Sequence, residues 1–252
     1  MNRVAKSVAL SLFALALNAC SSSPENDVVL NKASPDFLYS QARTSMELGN
    51  YGKAIRTLEA LDSRYPFGPH KVQVQLDMIY AYYKIDDTAS ALANIDRFMR
   101  LNPTHSDSDY IQYMRGLVNM QADEYLFHDL LNIDRTDRDP KYSEDAFKDF
   151  GKLIKLYPNS KYAVDAKQRM QAVKNRLARY SIHVAEYYLK MNAWSAAASR
   201  GQYVLESFSG SPSTERALEI MAQAYEELGQ QTLKDHVLLV MKTNYPNNGL
   251  VN

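Results

Sequence analysis

Cysteine is almost missing from this chain, with one in 252 residues. That excludes an internal disulfide framework and any cysteine-rich metal site. Glycine is scarce, at nine, and none of the patterns GxxxxGK[ST], GxGxxG, HExxH or GxSxG occurs. Phosphate loops, helical zinc-protease sites and nucleophile elbows are therefore not expected. An excess of either charge is also lacking, since 29 Lys and Arg face 29 Asp and Glu. A nucleic-acid binder needs a basic surface to displace counterions, so no nucleic-acid partner is expected. The apolar run near the amino terminus is about half what a bilayer-spanning helix requires, and no later run approaches roughly 18 residues. Strand patterning is nearly absent from Pro35 onward. The five histidines, at 70, 105, 128, 183 and 236, are scattered. His183 and Glu186 lie one helical turn apart but have no third ligand, and so read as a helix-surface pair. Asp134 to Asp139 (DRTDRD) lacks the central Gly and final Glu of a calcium loop and reads as a solvated, internally paired segment. No metal, no cofactor and no catalytic residue is expected, and the chain is not read as an enzyme.

The amino terminus carries a sorting signal. Arg3 and Lys6 precede the ten-residue apolar run Val8 to Leu17, and Leu17-Asn18-Ala19-Cys20 follows. A basic start, a short apolar core and a small residue before the cut make a secretory signal over 1–19. The sole cysteine falls at the cleavage point, and the four residues resemble a bacterial lipobox. That resemblance implies S-diacylglycerol and N-acyl chains on Cys20 and a lipid anchor as the only membrane element; several acyl chains together hold firmly. Ser21, rather than Asp, implies sorting to the outer membrane. Removing the signal leaves 27 bases against 29 acids. Residues 20–34 have no apolar period and are rich in Ser, Asn and Pro, as a flexible tether should be.

From Pro35 the sequence repeats itself. Five segments end alike: Asp62-Ser-Arg-Tyr-Pro66, Met99-Arg-Leu-Asn-Pro103, Ile154-Lys-Leu-Tyr-Pro158, Glu206-Ser-Phe-Ser-Gly-Ser-Pro212 and Lys242-Thr-Asn-Tyr-Pro246. Twelve residues before the first three prolines stand Ala54, Ala91 and Ala146, where only a small side chain lets one helix approach another. Seventeen before Pro66 and Pro246 stand Gly49 and Gly229, in the turn between helices. These are landmarks of the 34-residue tetratricopeptide repeat. The expected fold is all-α: an α-solenoid of five tetratricopeptide helix pairs in a right-handed superhelix. Repeats one to three occupy 35–158 and repeats four and five 159–252. Gly116 is read as a point where two helix backbones meet in repeat three, whose interhelix segment, about 123–142, is long. An extra helix, about Lys161 to Arg179, precedes repeat four and is in a position to run straight into it. Lys234 takes the small-residue place in repeat five, which is atypical, as a terminal cap should be.

The lipobox and five repeats occur together with distinctive strings: LEALDSRYPFGPH (Leu58 to His70), VQLDMIYAYYK (Val74 to Lys84), IDRFMRLNPTH (Ile95 to His105), YMRGL (Tyr113 to Leu117), DRTDRDP (Asp134 to Pro140) and LYPNSKY (Leu156 to Tyr162). Together they resemble the BamD family, lipoproteins of the β-barrel assembly machine. The resemblance implies a scaffold at the periplasmic face of the outer membrane. In that family the amino-terminal repeats take the ends of unfolded β-barrel precursors. The carboxy-terminal repeats dock the POTRA region of BamA, and the scaffold also carries BamC and BamE. The family has also been tied to peptidoglycan and competence, which leaves a periplasmic scaffold for that machinery as the alternative. Transferring the repeat's concave positions to the first helices of repeats one to three selects Tyr39, Arg43, Tyr80, Tyr83, Lys84, Tyr110 and Tyr113 as a substrate groove. Its clients typically end in an aromatic residue with a free carboxylate; tyrosine suits the aromatic end, and Arg43 or Lys84 suits the carboxylate. Arg200, in the charge-poor stretch SAAASRGQY, is the expected BamA contact.

Overall fold

The same short turn sets off four of the helices from the one before. The computed structural model describes residues 33–123 and 139–251, and among these there are ten helices and no strand. They run α1 (Pro35–Glu47), α2 (Tyr51–Arg64), α3 (Lys71–Lys84), α4 (Thr88–Leu101), α5 (Ser108–Asp123), α6 (Lys141–Leu156), α7 (Ala163–Lys190), α8 (Trp194–Ser207), α9 (Thr214–Glu227) and α10 (Gln231–Asn244). They run in chain order as the all-α fold that the sequence predicts, with short turns joining α1 to α2, α3 to α4, α7 to α8 and α9 to α10. The signal segment, Cys20 and most of the tether lie outside the described residues, as do Asp134 and His128.

The turns follow from backbone chemistry. Gly49 and Gly229 sit two residues before α2 and α10 with φ of +73° and +67°, where a Cβ is strained. Asp86 and Asn192 take the same place before α4 and α8 with φ of 61° and 55°. Asp and Asn are the side chains that best tolerate this region. In all four turns the next amide reaches back five residues: Asn50 to Ser45 at 2.8 Å, Asp87 to Tyr82 at 3.1 Å, Ala193 to Tyr188 at 2.9 Å and Gln230 to Tyr225 at 2.8 Å. That bond satisfies a carbonyl the ending helix leaves without a partner. Ser34, Asn50 and Asp87 cap α1, α2 and α4 by accepting amide hydrogens from Phe37, Lys53 and Ser90. At the other end, Tyr65, Asn102, Tyr157 and Tyr245 stop their helices with ψ between 57° and 59°. Each precedes a proline, whose ring disfavours helical geometry for the residue before it.

The chain divides into two units, one ending at Ala81 and one starting at Tyr82, so the boundary falls inside α3. In the first unit α1 packs on α2 over the fully buried Leu38, Ala42, Ala54 and Leu58. In the second, each helix from α4 to α10 packs on the next, and α7 also touches α9. Ala91, Ala146 and Ala197 are fully buried there, alongside Ile95, Phe150 and Val204. Burying a side chain such as Phe150 or Ile95 stabilises by roughly 1.5–3 kcal/mol, so the alanine stripe acts by letting larger neighbours close in. Lys234, at the corresponding place in α10, pairs with Glu226 at 2.8 Å.

One reading needs correction. A Cβ at Gly116 would stand 2.5 Å from Phe150 Cε1; the close neighbour is an aromatic ring of α6, not a second backbone. The backbone approach is at Gly201, where a Cβ would lie 2.9 Å from the Ala217 carbonyl oxygen and 2.6 Å from Met221 Cγ. The extra helix does run straight into the first helix of repeat four, and the two are one 28-residue helix, α7. No proline or glycine interrupts Ala163 to Lys190, and its buried positions continue without a phase break from Val173 through Leu177, Ala178, Ser181 and Ile182 to Ala185.

Candidate functional site

The seven residues selected from the repeat geometry divide between the two units. Tyr39 and Arg43 lie one turn apart on α1, and Tyr80 is on α3 in the first unit. The Tyr39 ring stacks on His70 at 4.4 Å, and its hydroxyl donates to Asp77 Oδ2 at 3.1 Å. Gln73 donates to the other Asp77 oxygen at 2.9 Å. His70 Nε2 in turn lies 2.7 Å from Asp36 Oδ1. Burial pushes the Asp77 carboxyl above the ordinary aspartate value, against the pull of the Gln73 and Tyr39 hydrogen bonds. Arg43 is exposed and pairs with Glu47 at 3.6 Å. Tyr80 meets Tyr51 edge-on at 6.0 Å.

In the second unit, Tyr83 is half-buried and Lys84 exposed at the end of α3. Tyr110 and Tyr113, one turn apart on α5, converge on a residue that the sequence reading did not select. Tyr162, at the start of α7, stacks on Tyr113 at 4.8 Å with ring planes 14° apart, and lies 5.7 Å from Tyr110. All three rings are half-buried. The Tyr113 hydroxyl donates a short hydrogen bond to Asp165 Oδ2, and Arg169 Nε donates to the same oxygen at 2.6 Å. Burial pushes the Asp165 carboxyl up, but the Tyr113 and Arg169 hydrogen bonds outweigh it and hold it below the ordinary value. Burial and the Asp165 carboxylate raise the Tyr113 hydroxyl. Lys161 Nζ stands 5.0 Å from the centre of the Tyr162 ring, and Ser160 donates to Asp109 at 2.6 Å. A signal for this group is present in the sequence. Tyr162 and Asp165 repeat the three-residue spacing of Tyr110 and Tyr113, but at the head of a helix outside the five-repeat register.

Arg200 is half-buried on α8, with its guanidinium 5.9 Å from the Tyr203 ring centre. Beyond it, charges are matched within the fold. Arg216 joins Glu186 at 2.9 Å and Glu219 at 2.8 Å, and Asn248 donates to Glu215 and Glu219. Arg216, Glu219 and Asn248 line part of an open cleft of 540 Å³ between α9, α10 and the last residues. Among the described residues no helix is long and apolar enough to cross a membrane, and no three metal-type ligands cluster.

Comparison with known proteins places these elements in a family. A family model described as outer membrane lipoprotein (YfiO) matches residues 31–239. An outer membrane protein assembly factor BamD from Vibrio cholerae is 49% identical over 237 residues, covering 94% of this chain and 95% of the relative. The protein of the same name from Neisseria meningitidis serogroup A is 38% identical over 249 residues, covering 98% and 92%. That from Xylella fastidiosa strain Temecula1 is 37% identical over 211 residues, covering 84% and 72%. With a helical-repeat fold and a match of this extent, the chain belongs to the YfiO family of outer membrane lipoproteins.

Proposed function

We propose that this chain is a non-enzymatic scaffold for assembling β-barrel proteins at the periplasmic face of the outer membrane, held there by acyl chains on Cys20. Unfolded barrel precursors bind through the tyrosine-lined first helices of 35–158. The carboxy-terminal half, 159–252, docks the POTRA region of BamA, with Arg200 as a contact, and BamC and BamE complete the assembly. The observation that carries this reading is the near full-length match to relatives named outer membrane protein assembly factors. The half-buried tyrosines on α1, α3 and α5 support it chemically, since barrel strands carry girdles of aromatic residues and tyrosine offers a flat apolar face with a polar tip. The test is capture of the lipidated protein from detergent-solubilised membranes. BamA is expected in stoichiometric amount. Recovery of murein enzymes without BamA would reject the reading in favour of a peptidoglycan scaffold.

A further inference from the structure

The residues that the repeat geometry overlooks, Tyr162 and Arg169, have the more complete site chemistry. Resting on the client-binding reading above, we infer that Tyr162 and Arg169 of the α7 segment, with Tyr110 and Tyr113 of α5, form the subsite for the chain end of a client: its aromatic side chain lies against the tyrosines and its terminal carboxylate is held by Arg169. This assigns the carboxylate to a residue other than Arg43 or Lys84.

The rings come first. Tyr113 cannot swing away, because Tyr162 stacks on it at 4.8 Å, Phe150 backs it at 6.2 Å and its hydroxyl is bonded to Asp165. Tyr110 and Tyr162 are tilted by 44° at 5.7 Å, so the three rings present a broken aromatic surface, half open to solvent. A ligand ring meeting fixed rings loses little of their conformational entropy on binding, and aromatic pairs contribute beyond their buried area.

The cation comes second. The Arg169 guanidinium reaches back one turn to Asp165 Oδ2, the oxygen that also accepts from the Tyr113 hydroxyl, so the fork stands beside that ring. A terminal aromatic residue carries its ring and its carboxylate on the same Cα, so the ring can meet the tyrosines while the carboxylate meets the adjacent fork. Arg169 gives its single Nε–H to Asp165 at 2.6 Å. The Nη groups remain for a ligand, less the hydrogen bond that the Tyr113 hydroxyl makes with the guanidinium. Asp165 therefore orients the fork without using it up, and Arg169 is the more sheltered of the candidate arginines, 37% exposed against 50% for Arg43. A planar fork beside an aromatic surface suits a carboxylate, and shelter from water strengthens a charge-assisted hydrogen bond.

The test is a coupling measurement. A labelled peptide copying the last strand of a barrel precursor, ending in phenylalanine, is titrated with the purified mature protein and followed by fluorescence anisotropy. The peptide is used with a free and with an amidated carboxy terminus, against wild type, Arg169→Gln, Arg169→Lys and Tyr162→Ala. Helical circular dichroism checks each fold. Amidation should weaken binding to wild type about tenfold. It should have little further effect on Arg169→Gln, and an intermediate effect on Arg169→Lys. Tyr162→Ala should weaken both peptides and narrow the preference for a terminal aromatic. If amidation costs Arg169→Gln as much as wild type, the carboxylate is held elsewhere and the inference is overturned, while the groove reading stands. If wild type binds neither peptide, or is indifferent to both the carboxylate and the aromatic end, the groove reading fails with it.

Discussion

A single atom decides the fate of Gly116. Any side chain there places its Cβ 2.5–2.9 Å from three carbons of the Phe150 ring, and Phe150 is itself fully buried. Gly116→Leu must displace α5 from α6, at a cost of about 1–3 kcal/mol. Thermal unfolding should shift down by several degrees, and an unchanged midpoint would show that the ring has room to turn. Asp149 makes a prediction of a different kind. Its carboxylate accepts from Gln112 Nε2 at 3.0 Å and Asn119 Nδ2 at 2.8 Å, yet burial outweighs these bonds and raises its pKa above the ordinary aspartate value. A raised folded pKa means that the contribution of this group to stability is fully present below the unfolded value and is lost as pH rises through the folded one. Asp149→Asn does not titrate. Melting followed from about pH 4 to about pH 7 should therefore show wild type losing ground steadily to the variant, and parallel curves would contradict the shift.

At the scale of elements, the contact to watch joins three helices. Arg176 of α7 forms a bidentate pair with Asp123 at the end of α5 and also donates to Ser143 Oγ of α6 at 2.9 Å. Ser143 donates to Asp123 at 2.6 Å. The Asp123 and Arg176 side chains are only 11% and 23% exposed, so removing one partner strands the other where water reaches it poorly. Asp123→Ala should lower stability by about 3 kcal/mol, read as a shifted denaturant midpoint. The exposed pair Lys141–Asp145, at 3.0 Å, is the internal control: Lys141→Ala should leave the midpoint close to that of wild type. Equal effects would mean that the Arg176 contact is no better shielded than a surface pair. The inter-helix turns show the same dependence on context. Gly49 and Gly229 are legible as turn residues because glycine is rare here; Asp86 and Asn192 are not, because their side chains also suit caps and loops.

For the whole molecule, the two halves assigned to client and partner should be separable by mutation. Arg200 has an aromatic neighbour, Tyr203, and no carboxylate pair among the described residues. Arg200→Glu should reduce co-purification of BamA while leaving helical circular dichroism and peptide binding intact. Normal BamA recovery from that variant would remove Arg200 from the interface. Cys20→Ala should block lipoprotein processing and release the chain from outer-membrane fractions, and unchanged fractionation would refute the anchor.

The amino-acid sequence by itself determined the pairing of helices, the turns with glycine, the proline-marked stops and the alanine stripe, because each depends on a few neighbouring residues and recurs at a fixed period. Family membership was legible for the same reason, in contiguous strings such as RYPFGP and NPTH. Tertiary structure alone decided what those stripes meet. It put a ring rather than a backbone against Gly116, and a carbonyl against Gly201. The aromatic cluster is the clearest case. Tyr113 and Tyr162 are 49 positions apart and Tyr113 and Asp165 are 52 apart. No local period links them, and only the packing of α5, α6 and α7 brings the rings, the carboxylate and Arg169 together.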